Sequence, residues 1–167
     1  MSDRGVVFLW GIPVVVLTVG AILLAPAWPV PGAWDTNRFR LGASCAAAIG
    51  VWLVAAVLLV STHRLFSSAD APGPALSEPT PALRLKLAFL QNTLEQVVLA
   101  AIAYLAFAAT APTRELSLLP IDVILFWIGR ACFLLGQANG MRGRAFGFAL
   151  TFAPTLALYL LLLSTLL

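Results

Sequence analysis

Apolar residues run along this chain in five long stretches, at about 5–25, 41–61, 85–111, 116–136 and 145–167. An α-helix rises about 1.5 Å per residue, so about 20 apolar residues cross a hydrocarbon core of about 30 Å. Each stretch meets that length, and the pattern predicts five membrane-spanning helices. The runs are unbroken, whereas a membrane strand alternates apolar and polar positions over about 10 residues. The predicted class is therefore all-α, an integral membrane helical bundle, arranged as a single membrane domain over residues 1–167.

The segments between the stretches differ in character. Residues 26–40 hold prolines, Trp28, Trp34 and Asp35, the mixture of an interfacial segment with Trp rings at headgroup level. Residues 63–83 are rich in Pro, Ser and Ala and are expected to form a mobile loop. Two short turns follow, at 113–117 and 137–144. The first stretch has an apolar core longer than the 7–15 residues of a signal peptide, so it is expected to be a retained helix, bent at Pro13. Pro154 is expected to kink the last.

Composition narrows the reading without changing it. Of 167 residues, 61% are hydrophobic and only 10% charged, with a mean hydropathy of +0.98. A soluble domain carries about 25% charged residues, so a water-facing globule is excluded. The net charge of +3 is scattered, which fits membrane topology and not nucleic acid. With five spans, Arg4, Arg64, Arg84, Lys86, Arg142 and Arg144 share one side, and Arg38, Arg40 and Arg114 the other. Cytoplasmic loops carry the cationic excess, so the expected orientation in the cell membrane puts the N-terminus in the cytoplasm and the C-terminus outside. Cys45 and Cys132 lie in apolar stretches without a CxxC partner or nearby His, and read as small buried residues with no metal site.

Polar groups inside membrane helices are costly and mark internal bonds or function. They concentrate in the third helix, as Arg84, Lys86, Gln91, Asn92, Glu95 and Gln96. Gln91 and Glu95 are i,i+4 and Asn92 is i,i+3 from Glu95, so the spacing predicts one shared face, with Arg84 near the same stripe. Such a stripe, fading toward mid-membrane, is the shape of a pocket lining entered from the cytoplasm. Arg130 and Asp122 are the intramembrane charges of the fourth helix, and a pairing of Arg130 with Glu95 is expected if the polar residues only hold the bundle together. Arg142 and Arg144 flank the start of the fifth helix, where free N–H groups and the helix dipole also favour an anion. His63, alone at a helix end, reads as a surface residue, and Tyr104 lies too deep to join the polar stripe.

These residues carry a resemblance. The segment 89–95, FLQNTLE, preceded by basic residues, resembles the Asn-x-x-Glu signature of the MAPEG family, the membrane-associated proteins of eicosanoid and glutathione metabolism. The later segment 130–136, RACFLLG, followed by Arg144, is similar to that family's second block. The resemblance covers about 41–167 and implies four MAPEG-like transmembrane helices, with the stretch at about 5–25 as one additional N-terminal helix. It further implies a homotrimer that binds glutathione as co-substrate between neighbours, with Asn92 and Glu95 holding its polar groups. Arg144 matches the arginine that stabilises the glutathione thiolate. Three positions depart from the pattern: Ala88 stands where an arginine is usual, and Phe133 and Gln137 replace tyrosines.

The expected function is binding of glutathione or a related thiol at the cytoplasmic side, with conjugation or reduction of hydrophobic small-molecule electrophiles in the lipid bilayer. Arg144 is the expected catalytic residue, and Asn92, Glu95, Gln91 and Arg84 the expected binding residues. The alternative is a non-catalytic protein on the same scaffold, a lipid-binding, scaffolding or accessory subunit.

Overall fold

The computed structural model describes residues 3–28, 36–73 and 77–166. They form α1 (Asp3–Leu24), α2 (Arg38–Phe66), α3 (Pro81–Thr110), α4 (Leu118–Gly136) and α5 (Gly140–Leu166), joined in part by short 3-10 turns. Among the described residues there is no strand. Most of the expected interfacial segment, residues 29–35, lies outside the described residues.

Local sequence sets the helix ends. Asn37 caps α2 by accepting a hydrogen bond from the Arg40 amide at 3.1 Å. Thr80 does the same for α3 at the Leu83 amide, 3.3 Å away, with Pro81 at the first helical position, where its missing N–H costs nothing. Pro13 and Pro154 both lie inside continuous helices. Gly140 opens α5 with a positive φ of 66°, a conformation that side-chain-bearing residues rarely adopt.

Among the described residues, four segments are long and apolar enough to cross a membrane: Leu9–Ala27, Arg38–Phe66, Pro81–Thr110 and Thr113–Ser164. This corrects the expectation of five separate spans. The last two apolar stretches run together as one segment of 52 residues, because the short 3-10 turn Gln137–Asn139 leads directly from one helix into the next. The turn Gln137–Asn139 nevertheless divides that segment into two α-helices, α4 and α5.

Contacts fix the helix directions. Gly136 lies against Gly143, Phe133 against Gly147, and Gly129 against Thr151, so α4 and α5 form an antiparallel hairpin. Gly42 against Ala108 and His63 beside Lys86 make α2 and α3 a second one. Trp10 packs on Phe146, and Thr18 and Ile22 share a crevice with Pro154 and Leu158, so α1 runs parallel to α5. One end of the bundle therefore gathers Arg64, Arg84, Lys86, Arg142 and Arg144, while Arg38, Arg40 and Arg114 lie at the other.

The main core lies toward this second end, where Ile49, Tyr104, Phe107, Leu119, Phe126 and Leu158 are buried. Arg38 closes that end by donating to the Ala111 carbonyl at 2.6 Å and the Thr113 hydroxyl at 2.7 Å. Ser117 ties the end of α1 to the start of α4 by donating to the Ala25 carbonyl at 2.6 Å. A smaller cluster of Ala56, Phe89 and Phe133 lies toward the cation-rich end, with Trp52 edge-on to Phe89 at 6.4 Å.

The α2–α3 loop is tied down by Asp70. Its carboxylate accepts from the Thr80 amide at 2.9 Å, the Thr80 hydroxyl at 2.7 Å, the Ser67 hydroxyl at 3.0 Å and His63 Nε2 at 2.9 Å. Lys86 Nζ lies 2.8 Å from the other ring nitrogen, so His63, read from sequence as a surface residue, is half-buried in a network. The backbone hydrogen bond from Thr80 is the largest cause holding the Asp70 carboxyl well below the usual carboxylate range; burial opposes it, and the side-chain bonds add to it. A carboxyl depressed in the folded state contributes stability that is present above its unfolded pKa of about 3.9 and lost as pH falls through the folded value. Acidifying the detergent-solubilised protein below about pH 4 is therefore expected to lower its melting temperature. Asp70→Asn is expected to melt lower at neutral pH with a flatter acid dependence. Equal melting curves for the two proteins at pH 7 would refute this.

Candidate functional site

The site begins on α3. At 100° per residue Asn92 points 60° away from Glu95, and the boundary of the bundle falls between them. Asn92 turns inward and Glu95 outward. Gln91 Nε2 donates to Glu95 Oε1 at 2.9 Å, and both residues are exposed. The single shared face expected for Gln91, Asn92 and Glu95 is thus split in two.

Asn92 meets Arg130 of α4, whose Nη1 donates to Asn92 Oδ1 at 2.8 Å. This corrects the expected pairing of Arg130 with Glu95, whose carboxylate lies on the outer side of α3. A guanidinium only donates, so its partner must be the amide oxygen, which leaves the Asn92 Nδ2 hydrogens as donors. Among the described residues no protein acceptor takes them. Arg130 is completely buried and also reaches the Thr151 hydroxyl at 3.2 Å and the Thr93 hydroxyl at 3.4 Å. Its guanidinium carbon sits 4.5 Å from the centre of the Phe133 ring. Its Nε has no partner, and no carboxylate pairs with it among the described residues. The one basic residue of 118–136 thus supports Asn92 from behind, a link that the sequence left unresolved between two helices.

Arg144 arrives from the first turns of α5. It is exposed and its side chain has no hydrogen-bond or ion-pair partner among the described residues. Arg144 and Asn92 line the same cavity of about 570 Å³, which the two helices enclose with Phe133, Phe148, Phe152 and a row of alanines. Gly11 of α1 completes the lining. Its walls are chiefly apolar, with one cation and one free amide among them. Such an arrangement holds an anionic or polarisable group beside an apolar one.

The remaining expected site residues stand elsewhere. Glu95, Gln91 and Arg84 do not line the cavity. Ala88 does, at the position where the resemblance implies an arginine, so that cation is missing from the wall itself. Lys86 does not replace it, being engaged with His63. Phe133 likewise lines the cavity where a tyrosine was implied, and Gln137 donates from Nε2 to the Leu85 carbonyl, joining the α4–α5 turn to α3. Asp122 and Tyr104 are buried next to each other toward the other end, outside the cavity. Cys45 and Cys132 are free thiols, and neither lines it.

Gly11, Phe148 and Phe152 were missed from the sequence. A glycine and two phenylalanines in apolar stretches carry no signal until the helices that face each other are known.

Residues 42–164 match the model of the MAPEG family, a span that includes Asn92, Arg130 and Arg144 and leaves out α1. No curated protein and no solved structure matches the chain.

Proposed function

Since the chain belongs to the MAPEG family, we propose that it binds glutathione or a related thiol at the cation-rich end of the bundle and transfers it to hydrophobic electrophiles, or reduces them with it. The observation that carries this reading is the convergence of Asn92 and Arg144, from two helices, on one cavity of about 570 Å³. The cavity suits a thiol tripeptide: it offers a cation, a free amide donor and room. Asn92 Nδ2, oriented by Arg130, donates to a peptide or carboxylate oxygen. Arg144 faces the thiol. A free thiol has a pKa of about 8.5, and an adjacent guanidinium favours the thiolate at neutral pH. The thiolate sulfur then forms a bond to the electrophilic carbon, the leaving group departs with the bonding electrons, and the thiol proton goes to water. With a hydroperoxide the sulfur attacks the terminal oxygen, the O–O bond breaks and the alcohol leaves, and a second thiol displaces water from the resulting sulfenic acid to give the disulfide.

The exposed Gln91–Glu95 pair supports a trimeric site in the cell membrane. A carboxylate facing lipid inside a membrane is expensive, whereas a second copy of the chain seated on this face would cover it and bring Glu95 to a shared pocket. By the positive-inside rule the cation-rich end faces the cytoplasm and the opposite end lies outside.

Calorimetry of glutathione binding to the detergent-purified protein tests the reading. Asn92→Ala is expected to weaken binding about tenfold, the loss of one hydrogen bond to a charged group. Arg130→Met, which removes a buried cation without touching the ligand, is expected to leave stability nearly unchanged and still weaken binding, because Asn92 loses its orientation. Absent binding in well-folded wild type would overturn the proposal. It would favour the accessory-subunit reading, which Ala88 and Phe133 in the cavity wall already suit.

A further inference from the structure

We propose that α1 is a wall of the transfer cavity and that Gly11 sets how large an electrophile it admits. This rests on the thiol-transfer reading and names a residue outside the family region, since α1 precedes residues 42–164.

Gly11 lines the cavity that holds Asn92 and Arg144, together with an aromatic surface. Phe148 and Phe152 form that surface, their rings stacked with centroids 5.6 Å apart and planes 19° from parallel. A Cβ built at Gly11 meets nothing within 4 Å, so the missing side chain is open space continuous with the cavity. The wall is fixed in place. One residue away the Trp10 ring contacts the Phe146 ring at 5.3 Å, and Val14 and Thr18 on the next turns are buried. Without α1 the apolar side of the cavity would open to lipid. With it the cavity is a half-open cleft with α1 as one side, polar at Asn92 and Arg144 and apolar at Gly11, Phe148 and Phe152. An aromatic electrophile fits this division, with its reacting carbon at the thiolate and its ring between the walls. A side chain at position 11 would occupy the ring's place.

The test compares binding of glutathione with binding of S-(2,4-dinitrophenyl)glutathione, the product of arylation, to detergent-purified full-length protein. Wild type is expected to bind the aryl conjugate about tenfold more tightly, from burial of the ring. Gly11→Phe is expected to abolish that gain, so that the two compounds bind alike. Gly11→Ala, adding one methyl, is expected to lose part of it and serves if the phenylalanine variant does not fold. Gly20→Phe, on the same helix, also in open space and outside the cavity, is expected to keep the whole gain. Equal binding of the two compounds by wild type, or a gain that survives Gly11→Phe, overturns the wall role and leaves thiol binding standing. A wild type that binds neither compound overturns both.

Discussion

Gly147→Leu is expected to prevent the α4–α5 hairpin from closing, and with it recovery of folded protein from the membrane. At Gly147 a Cβ would run into the Phe133 backbone amide and come within 2.5 Å of the Gly129 carbonyl oxygen. Both obstacles are backbone, so no side chain can rotate away. Helices in lipid gain nothing from burying apolar surface against each other, and their association depends on close backbone approach at small residues. Gly129, Gly136, Gly143 and Gly147 supply that approach here. Overpacking costs about 1–3 kcal/mol in an ordinary core, and more where the backbones themselves must part. Gly50→Leu is the control, because a Cβ there meets nothing within 4 Å. The measurement is the yield of monodisperse protein in mild detergent and its melting temperature. A Gly147→Leu protein that purifies and melts like Gly50→Leu would show that the hairpin is not held by this contact.

The same hairpin shows where sequence reading stops. The two apolar stretches and the turn between them were legible, because length and hydropathy report on helices one at a time. That glycines of the turn and of both helices interlock was not, since small-xxx-small spacing near a turn is ordinary. The site divided along the same line. Asn92 and Arg144 were legible through motifs with a chemical reason, and they do meet at one cavity. Gln91 and Glu95 share the α3 segment with Asn92, yet helical periodicity fixes only relative angles; where the bundle's edge falls among them depends on which helices pack against α3. Arg130 had two helices' worth of possible partners. Its choice of Asn92 follows from Glu95 lying outside, which is again a fact of packing. Gly11 was invisible for the converse reason: its contribution is the absence of a side chain in a helix whose neighbour was unknown.

Arg144→Ala is expected to lower the rate of thiol transfer at pH 7 by about 10²–10³, the loss seen when one donor aimed at a developing or bound oxyanion is removed. The effect is electrostatic. Arg144 is free of protein partners among the described residues and lines a cavity with chiefly apolar walls, where a fixed charge is screened less than in water. Its effect on a bound thiol is to favour the anion, so in wild type the rate reaches its plateau below the ordinary thiol pKa of about 8.5. Without the guanidinium the thiol regains that value, the thiolate fraction at neutral pH drops, and the plateau moves to higher pH. Much of the lost rate is therefore expected to return between about pH 7 and pH 9.5. Arg144→Lys keeps the charge but not the planar fork, and is expected to fall between the two. The check is the pH profile of conjugation with 1-chloro-2,4-dinitrobenzene, together with the ultraviolet absorbance of the bound thiolate. A structural role alone would reduce the rate at every pH and leave the position of the plateau unmoved. An unshifted plateau in folded Arg144→Ala would remove Arg144 from the chemistry and leave it at most a part of the binding cavity.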